Sequence, residues 1–352
     1  MGDVEFARLA TAGRAASGPG SRLYANSENG IGWIARHLAH TDLPSAIGLL
    51  KDKIRFRELL RDLDPELFVA GGTVDELARL DPSAIPFPVV LKPAVGFFSS
   101  GVRVVGSERD WPGALRGASA DADRYRGMYP EAVLDFARFV VEGRIEGTEV
   151  AVDAWFDERG DPVIVDVLEH AFADEDDVTD RVYLTSAEIV ARWREPLAGF
   201  LREVGRRAGL RDFPVHAEVR VDAGGRIRPI EVNPMRFAGL CATDIAHFAF
   251  GIDPYASFLL GQRPDWEAIA RRESSVWALV VAEVPPDVDR ARVEGVDWDG
   301  LAALVPRTRA LRRMDWRRYP AFAFLFAEAP DRDPAAFDAV LRADLKPLLR
   351  MR

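Results

Sequence analysis

Between Val215 and Asn233 apolar and polar residues alternate on either side of a Gly224-Gly225 pair. This pattern predicts two short strands joined by a tight turn. Period-2 geometry gathers His216, Glu218, Arg220, Glu231 and Asn233 on one face. Val215, Ala217, Val219, Ile230 and Val232 point to the other. With the two glycines at the centre of the turn, Glu218 falls opposite Glu231 and His216 opposite Asn233.

The rest of the chain reads as helices mixed with strands. A short strand is expected over 21–26, a helix over 29–40 and helical spacing over 54–63. The helix over 73–80 is entered through a Thr73–Glu76 capping box. Residues 86–105 read as strand, loop, strand. A helical piece near 131–137 then precedes a strand over 138–142, and a hairpin over 149–156 and 162–168 turns at 158–161. A helix over 186–208 leads into the Gly-Gly hairpin, and helical pattern covers 241–260. The tail opens on the apolar strand SVWALVVAEV from Ser275, continues with a strand over 321–327, and closes on a helix near 334–349. The first 20 residues are rich in Gly, Ala and Ser and are expected to be poorly ordered in part.

Composition narrows the function classes. A chain of 352 residues, 48% hydrophobic and 29% charged, is long enough for two or three compact units with sizeable cores. Its net charge of −10 argues against a nucleic-acid partner. No apolar run reaches the length of a membrane span, and the N-terminus lacks a signal-peptide pattern. The single cysteine, Cys241, fits a reducing cytoplasm and reads as a structural thiol. The five histidines show no zinc spacing, so any metal is expected to be oxygen-ligated.

Directly opposed carboxylates repel across a hairpin, and a dication bound between Glu218 and Glu231 would reverse that cost. Magnesium in nucleotide enzymes takes one or two carboxylates plus substrate phosphates, which suits this face. The plainer alternative is a solvated hairpin with its charges in water. Upstream, Phe87–Pro93 is an apolar strand ending in Lys92, followed by a small-residue loop through Ser99, Ser100 and Gly101. A strand-end lysine beside such a loop suits phosphate binding, although most strand-end lysines are simply exposed. The stretch EGRIEGTE from Glu142 to Glu149 would offer backbone groups to an adenine edge and a carboxylate to ribose hydroxyls; its alternative is a surface turn. The acidic run 174–177 reads as a solvated loop.

Taken in order, Lys53 in KDK, Lys92 in VVLKP with its Ser/Gly loop, the EGRIEGTE hinge and the HAE…IEVNP hairpin resemble the ATP-grasp superfamily over about residues 45–260. The likeness is greatest to the branch of carbamoyl-phosphate-synthase-type and amino-acid-ligase domains. The resemblance implies an α+β (α/β) fold with ATP between two lobes. It divides the chain into a short N-terminal segment (1–50), an ATP-grasp domain (51–272, with lobes at about 83–140 and 141–272) and a C-terminal α/β subdomain (273–352).

It also implies roles. Lys53 and Lys92 would contact ATP, and Ser99, Ser100 and Gly101 would form a flap over its phosphates. Glu142, Gly143 and Ile145 would read the adenine and Glu149 the ribose. Glu218, Glu231 and Asn233 would hold one or two magnesium ions, with manganese as a substitute. Lys92 and Arg236 are the catalytic candidates. His216, Arg220 and Arg181 are candidates for the substrate, with His170 and Asp180 behind them. Family members join a small-molecule carboxylate to an amine or another nucleophile through an acylphosphate, releasing ADP and phosphate. A homodimer is the assembly expected for such a ligase, and a kinase that stops at phosphoryl transfer and a non-catalytic nucleotide-binding regulator are the alternatives. Two departures stand out. Many relatives place Arg directly after N-P, where this chain has Met235 and then Arg236; and Phe97-Phe98 occupies the flap where glycines are common.

Overall fold

The computed structural model describes residues 22–25, 28–96, 101–125, 135–174 and 179–352. Helices alternate with antiparallel strands, an α+β architecture. The strands are β1 (Val69–Gly72), β2 (Val89–Val95), β3 (Arg103–Val105), β4 (Asp135–Gly143), β5 (Thr148–Phe156), β6 (Pro162–Ala171), β7 (Val182–Thr185), β8 (Phe213–Val221), β9 (Ile227–Pro234), β10 (Val276–Glu283), β11 (Val293–Val296), β12 (Thr308–Arg313), β13 (Ala321–Ala329) and β14 (Leu349–Met351). The chain forms two compact units. The first takes Met1–Gly147, Trp155–Pro162 and Phe200–Phe237; the second takes Thr148–Ala154, Val163–Gly199 and Ala238–Arg352.

In the first unit β1-β4-β2-β3 form a four-stranded antiparallel sheet. Alternation sends Val89, Leu91, Phe139 and Val141 into a core closed by Leu77, Trp111, Leu115 and Ala118. The opposite parity of the same strands carries Lys92 and Glu142. Lys92 pairs in register with Val140, and Val90 with Glu142, so the two charged side chains are diagonal neighbours on one face. The helix Lys53–Leu59 begins at Asp52, whose carboxylate accepts from the N–H groups of Ile54 and Arg55. The Thr73–Glu76 capping box forms as expected, on the short helix Val74–Leu77.

The hairpin β8–β9 has the expected register at its functional end, with His216 opposite Asn233 and Glu218 opposite Glu231. The route to that register differs from the sequence reading. Val221 pairs with Ile227, so the turn is a five-residue loop. The Asp222 carboxylate accepts from the N–H groups of Gly224 and Arg226 there, and Gly225 takes a φ of 80°. Val219 then faces Pro229, and a β-bulge at Ile230 restores the register. The bulge switches the parity of the strand: Pro229 is buried on one side of it and Val232 on the other, while Ile230 is not buried.

In the second unit the strands run in the order β12-β13-β10-β7-β6-β5, and β11 pairs with β14. β10 pairs with β7 and with β13, so the tail from Val276 extends this sheet rather than standing apart from it. Its core is built by Val182, Ala278, Val280, Phe322 and Leu325, with Phe337 and Val340 packed against them.

Three local expectations need correction. Residues 22–25 form no strand. Residues 135–137 belong to β4, not to a helix. The helix expected near 334–349 is broken into Pro334–Phe337, Asp338–Leu341 and Lys346–Leu348 before β14. Pro347 lacks the N–H a continuous helix needs, and the Asp344 carboxylate takes the N–H of Lys346 instead. Among the described residues no helix is long and apolar enough to cross a membrane.

Candidate functional site

The charged face of β2 and β4 meets the helix Lys53–Leu59 within the first unit. Lys53 and Arg57 lie one helical turn apart, so their side chains leave the same side of the helix. Arg57 Nε donates to Glu142 Oε2 at 2.6 Å, and Lys92 Nζ is bonded to Glu142 Oε1. All three groups are buried. Burial pushes the Lys92 ammonium down, and the neighbouring Glu142 charge opposes that shift. Arg57 also reaches the carbonyl of Ile230 at 3.4 Å, so the residue that breaks the β9 ladder finds a partner there.

Lys53 Nζ lies 3.1 Å from Glu231 Oε2. The other oxygen of Glu231 accepts from Asn233 Nδ2 at 2.8 Å, and Asn233 Oδ1 accepts from Arg236 Nη2 at 3.0 Å. Burial raises the Glu231 pKa, but Lys53, Asn233 and Lys92 outweigh it and hold the carboxyl at about 2. Glu218, on the facing strand, has His216 Nε2 at 3.3 Å from its Oε1.

Arg236 joins this group because Met235 adopts a left-handed backbone with φ of 66°. That single residue turns the chain after N-P and brings the guanidinium back over Asn233. Met235 thus carries the turn after N-P, and Arg236, one position further on, reaches Asn233.

The model of the ATP-grasp domain family matches residues 85–244. The chain carries an ATP-grasp domain. No curated protein sequence gives a significant match. Among solved structures, an L-amino acid ligase from Bacillus licheniformis superposes with a TM-score of 0.66 at 16% identity, covering 93% of this chain and 80% of its own. The biotin carboxylase of Campylobacter jejuni gives 0.60 at 16% identity, covering 87% and 69%. N5-carboxyaminoimidazole ribonucleotide synthetase from Thermotoga maritima gives 0.58 at 15%, covering 91% and 78%. These likenesses place the fold.

Lys53, Glu231, Asn233 and Arg236 form one bonded series, Lys92 is held by Glu142, and Glu218 faces Glu231 across the hairpin. Among the described residues no group of three His, Cys, Asp or Glu side chains forms a metal site. The set on offer is two carboxylates and an amide oxygen, which suits magnesium that completes its shell with phosphates and water. Glu142 sits between two cations. Gly143 donates its N–H to Phe68, and the carbonyl of Ile145 accepts from Arg220 Nη1 at 3.1 Å, so Arg220 braces the hinge. Gly147, at φ of 123°, lets the hinge approach Val221: a Cβ there would meet the Val221 carbonyl oxygen at 2.3 Å. Ser99, Ser100 and the Phe97-Phe98 pair lie outside the described residues, as does most of the acidic run. Gly101 is described and holds φ of 76° against Phe136 and Pro93. The sequence reading missed Arg57, although its i,i+4 spacing from Lys53 was a usable signal.

Glu149 and His170 belong to the second unit. His170 Nδ1 lies 3.0 Å from Glu149 Oε1, and its Nε2 lies 3.0 Å from the carbonyl of Thr179. Both partners are acceptors, so the ring makes both bonds as an imidazolium. Burial pushes its pKa down, but the bond and charge of Glu149, with Asp180 beyond, raise it above the ordinary 6.5. The folded pKa exceeds the unfolded one, so this stabilisation is full below 6.5 and is lost as pH rises through the folded value. Thermal unfolding of the wild type and of His170→Gln should therefore differ most below pH 6.5, with the gap narrowing as pH rises above it. A gap that stays constant with pH would remove the charge from the account. Arg181, also in this unit, donates to the carbonyls of Ala343 (2.5 Å) and Leu341 (3.5 Å), so it ties down the C-terminal segment.

Proposed function

We propose that this protein is an ATP- and magnesium-dependent ligase that activates a small-molecule carboxylate as an acylphosphate and joins it to an amine or another nucleophile. The observation that carries the reading is the linked set Lys53–Glu231–Asn233–Arg236 beside Lys92 in an ATP-grasp domain. The carboxylate oxygen would attack the γ-phosphorus of ATP, forming a carbon–oxygen–phosphorus link and expelling ADP. An amine nitrogen would then attack the acyl carbon, release inorganic phosphate and lose a proton to solvent or a nearby base.

The chain's residues serve this in separate ways. Lys92, fixed by Glu142, places positive charge at the phosphates, and Lys53 adds a second cation beside the carboxylates. Glu218, Glu231 and Asn233 would hold magnesium, which when bound neutralises charge on the β- and γ-phosphates. Arg236 is oriented by Asn233 toward the charge that develops on the transferred phosphoryl group. Glu149 would take the ribose and the hinge near Gly143 and Ile145 the adenine. Phosphoryl transfer of this kind depends on positioning and charge neutralisation rather than on a covalent protein intermediate.

The deciding experiment follows ADP release from Mg–ATP with pooled carboxylic acids, with and without pooled amines, and identifies products by mass spectrometry. Glu231→Ala is the control. Activity that needs both pools, with a product equal to the sum of the substrates less water, is the expected outcome. ADP formed without any amine, with a stable phosphorylated product, would replace the ligase by a kinase. No ADP from any pool would overturn both.

A further inference from the structure

The reactive end of the site is held from a part of the chain outside the matched domain. Residues 22–25 form no regular element, yet two of them grip the turn that follows N-P. The N–H of Ala25 donates to the carbonyl of Met235 at 2.8 Å, and the N–H of Phe237 donates to Tyr24 Oη at 3.0 Å. The rings of Tyr24 and Phe237 also pack, with centroids 5.5 Å apart. These contacts bracket Met235, whose left-handed backbone is costly for a residue with a side chain and persists only where its surroundings impose it.

A continuous series of bonds runs inward from this grip. The Phe237 N–H goes to Tyr24 Oη, while the Phe237 carbonyl accepts from Arg236 Nη1 at 3.0 Å. Arg236 Nη2 donates to Asn233, Asn233 to Glu231, and Glu231 meets Lys53. The Phe237 side chain is wholly buried, so its main chain has little room to find another pose.

We infer that Tyr24 is a positioning residue for Arg236: by fixing the Phe237 peptide, it sets where the guanidinium stands at the reacting phosphoryl group. The inference rests on the function proposed above. Tyr24 touches no reacting atom and acts through Phe237 and Arg236. Removing its hydroxyl leaves the Phe237 N–H without its acceptor, and the turn relaxes to recover a partner.

The test uses the full chain and two probes, the magnesium complexes of ADP and of the non-hydrolysable β,γ-imido analogue of ATP, with affinities from calorimetry. Tyr24→Phe keeps the ring packing and deletes the acceptor. It is expected to weaken the triphosphate analogue about fivefold, the effect of one hydrogen bond of about 1 kcal/mol, and to leave ADP unchanged. In an Arg236→Ala background the same substitution should add no further loss, because the group it positions is gone. Equal weakening of both nucleotides, or an undiminished effect in the Arg236→Ala background, would overturn the inference. Wild-type protein that binds neither nucleotide would overturn the ATP-site reading first, a failure visible before any substitution is made.

Discussion

Replacing Glu142 by glutamine is expected to destabilise the fold by about 3–5 kcal/mol, the usual size for removing one partner of a buried ion pair. The carboxylate is 3% exposed and is shared by Arg57 and Lys92, which are nearly as buried. An amide of the same shape leaves two cations in the interior with one neutral acceptor between them. The effect is pH-linked. Burial raises the Glu142 pKa, but Arg57 and Lys92 hold it at about 2, below the ordinary 4.5. A folded value below the unfolded one means that the stabilisation is present above pH 4.5 and drains away as pH falls toward 2. Chemical denaturation of both proteins should show a wide gap at neutral pH that narrows in acid. A Glu142→Gln midpoint equal to wild type at neutral pH would show that the buried triad contributes no net stability.

The second large effect is on activity. Under the proposed function, Glu231→Gln should lower ADP formation by about 10³, or about 4 kcal/mol of transition-state stabilisation. Glutamine keeps the length of the side chain and an acceptor for Asn233 but removes the charge. Because Lys53 and its neighbours hold Glu231 near a pKa of 2, that charge is present throughout the neutral range. The loss should be accompanied by a rise in the magnesium concentration needed for half-maximal rate. Glu218→Gln should share that shift, since it faces Glu231 across the hairpin. Activity of Glu231→Gln within about threefold of wild type, a difference under about 1 kcal/mol, would take this residue out of metal binding.

What could be read from the sequence follows the range of the forces involved. The Thr73–Glu76 box is local, and it formed as expected, although on a shorter helix. Apolar runs ending in a charged residue identified β2 and β4, and alternation identified the β8–β9 hairpin. The carboxylate register was also legible, yet the turn behind it was not. Asp222 captures two N–H groups to make a longer loop, and the Ile230 bulge compensates. The bulged residue finds its partner in Arg57, far away in sequence, which donates to the Ile230 carbonyl. β12 was missed for a related reason: TRALRR reads as exposed and polar, and its strand form comes from pairing with the apolar β13. Lys92 and Glu142 were each legible as chemistry, but their mutual contact follows only from the β2–β4 register.

The left-handed residue at Met235 bears on how such sites are recognised at all. Under the proposed function, a search pattern that demands arginine immediately after N-P would pass over this chain, although the Arg236 guanidinium reaches the asparagine. Spacing along the chain and placement in space separate wherever one residue reverses its backbone hand. A better signature would allow one variable residue between N-P and Arg whenever a packed partner holds the turn. By that criterion, homologous sites written off for a missing arginine are worth rereading one position further along.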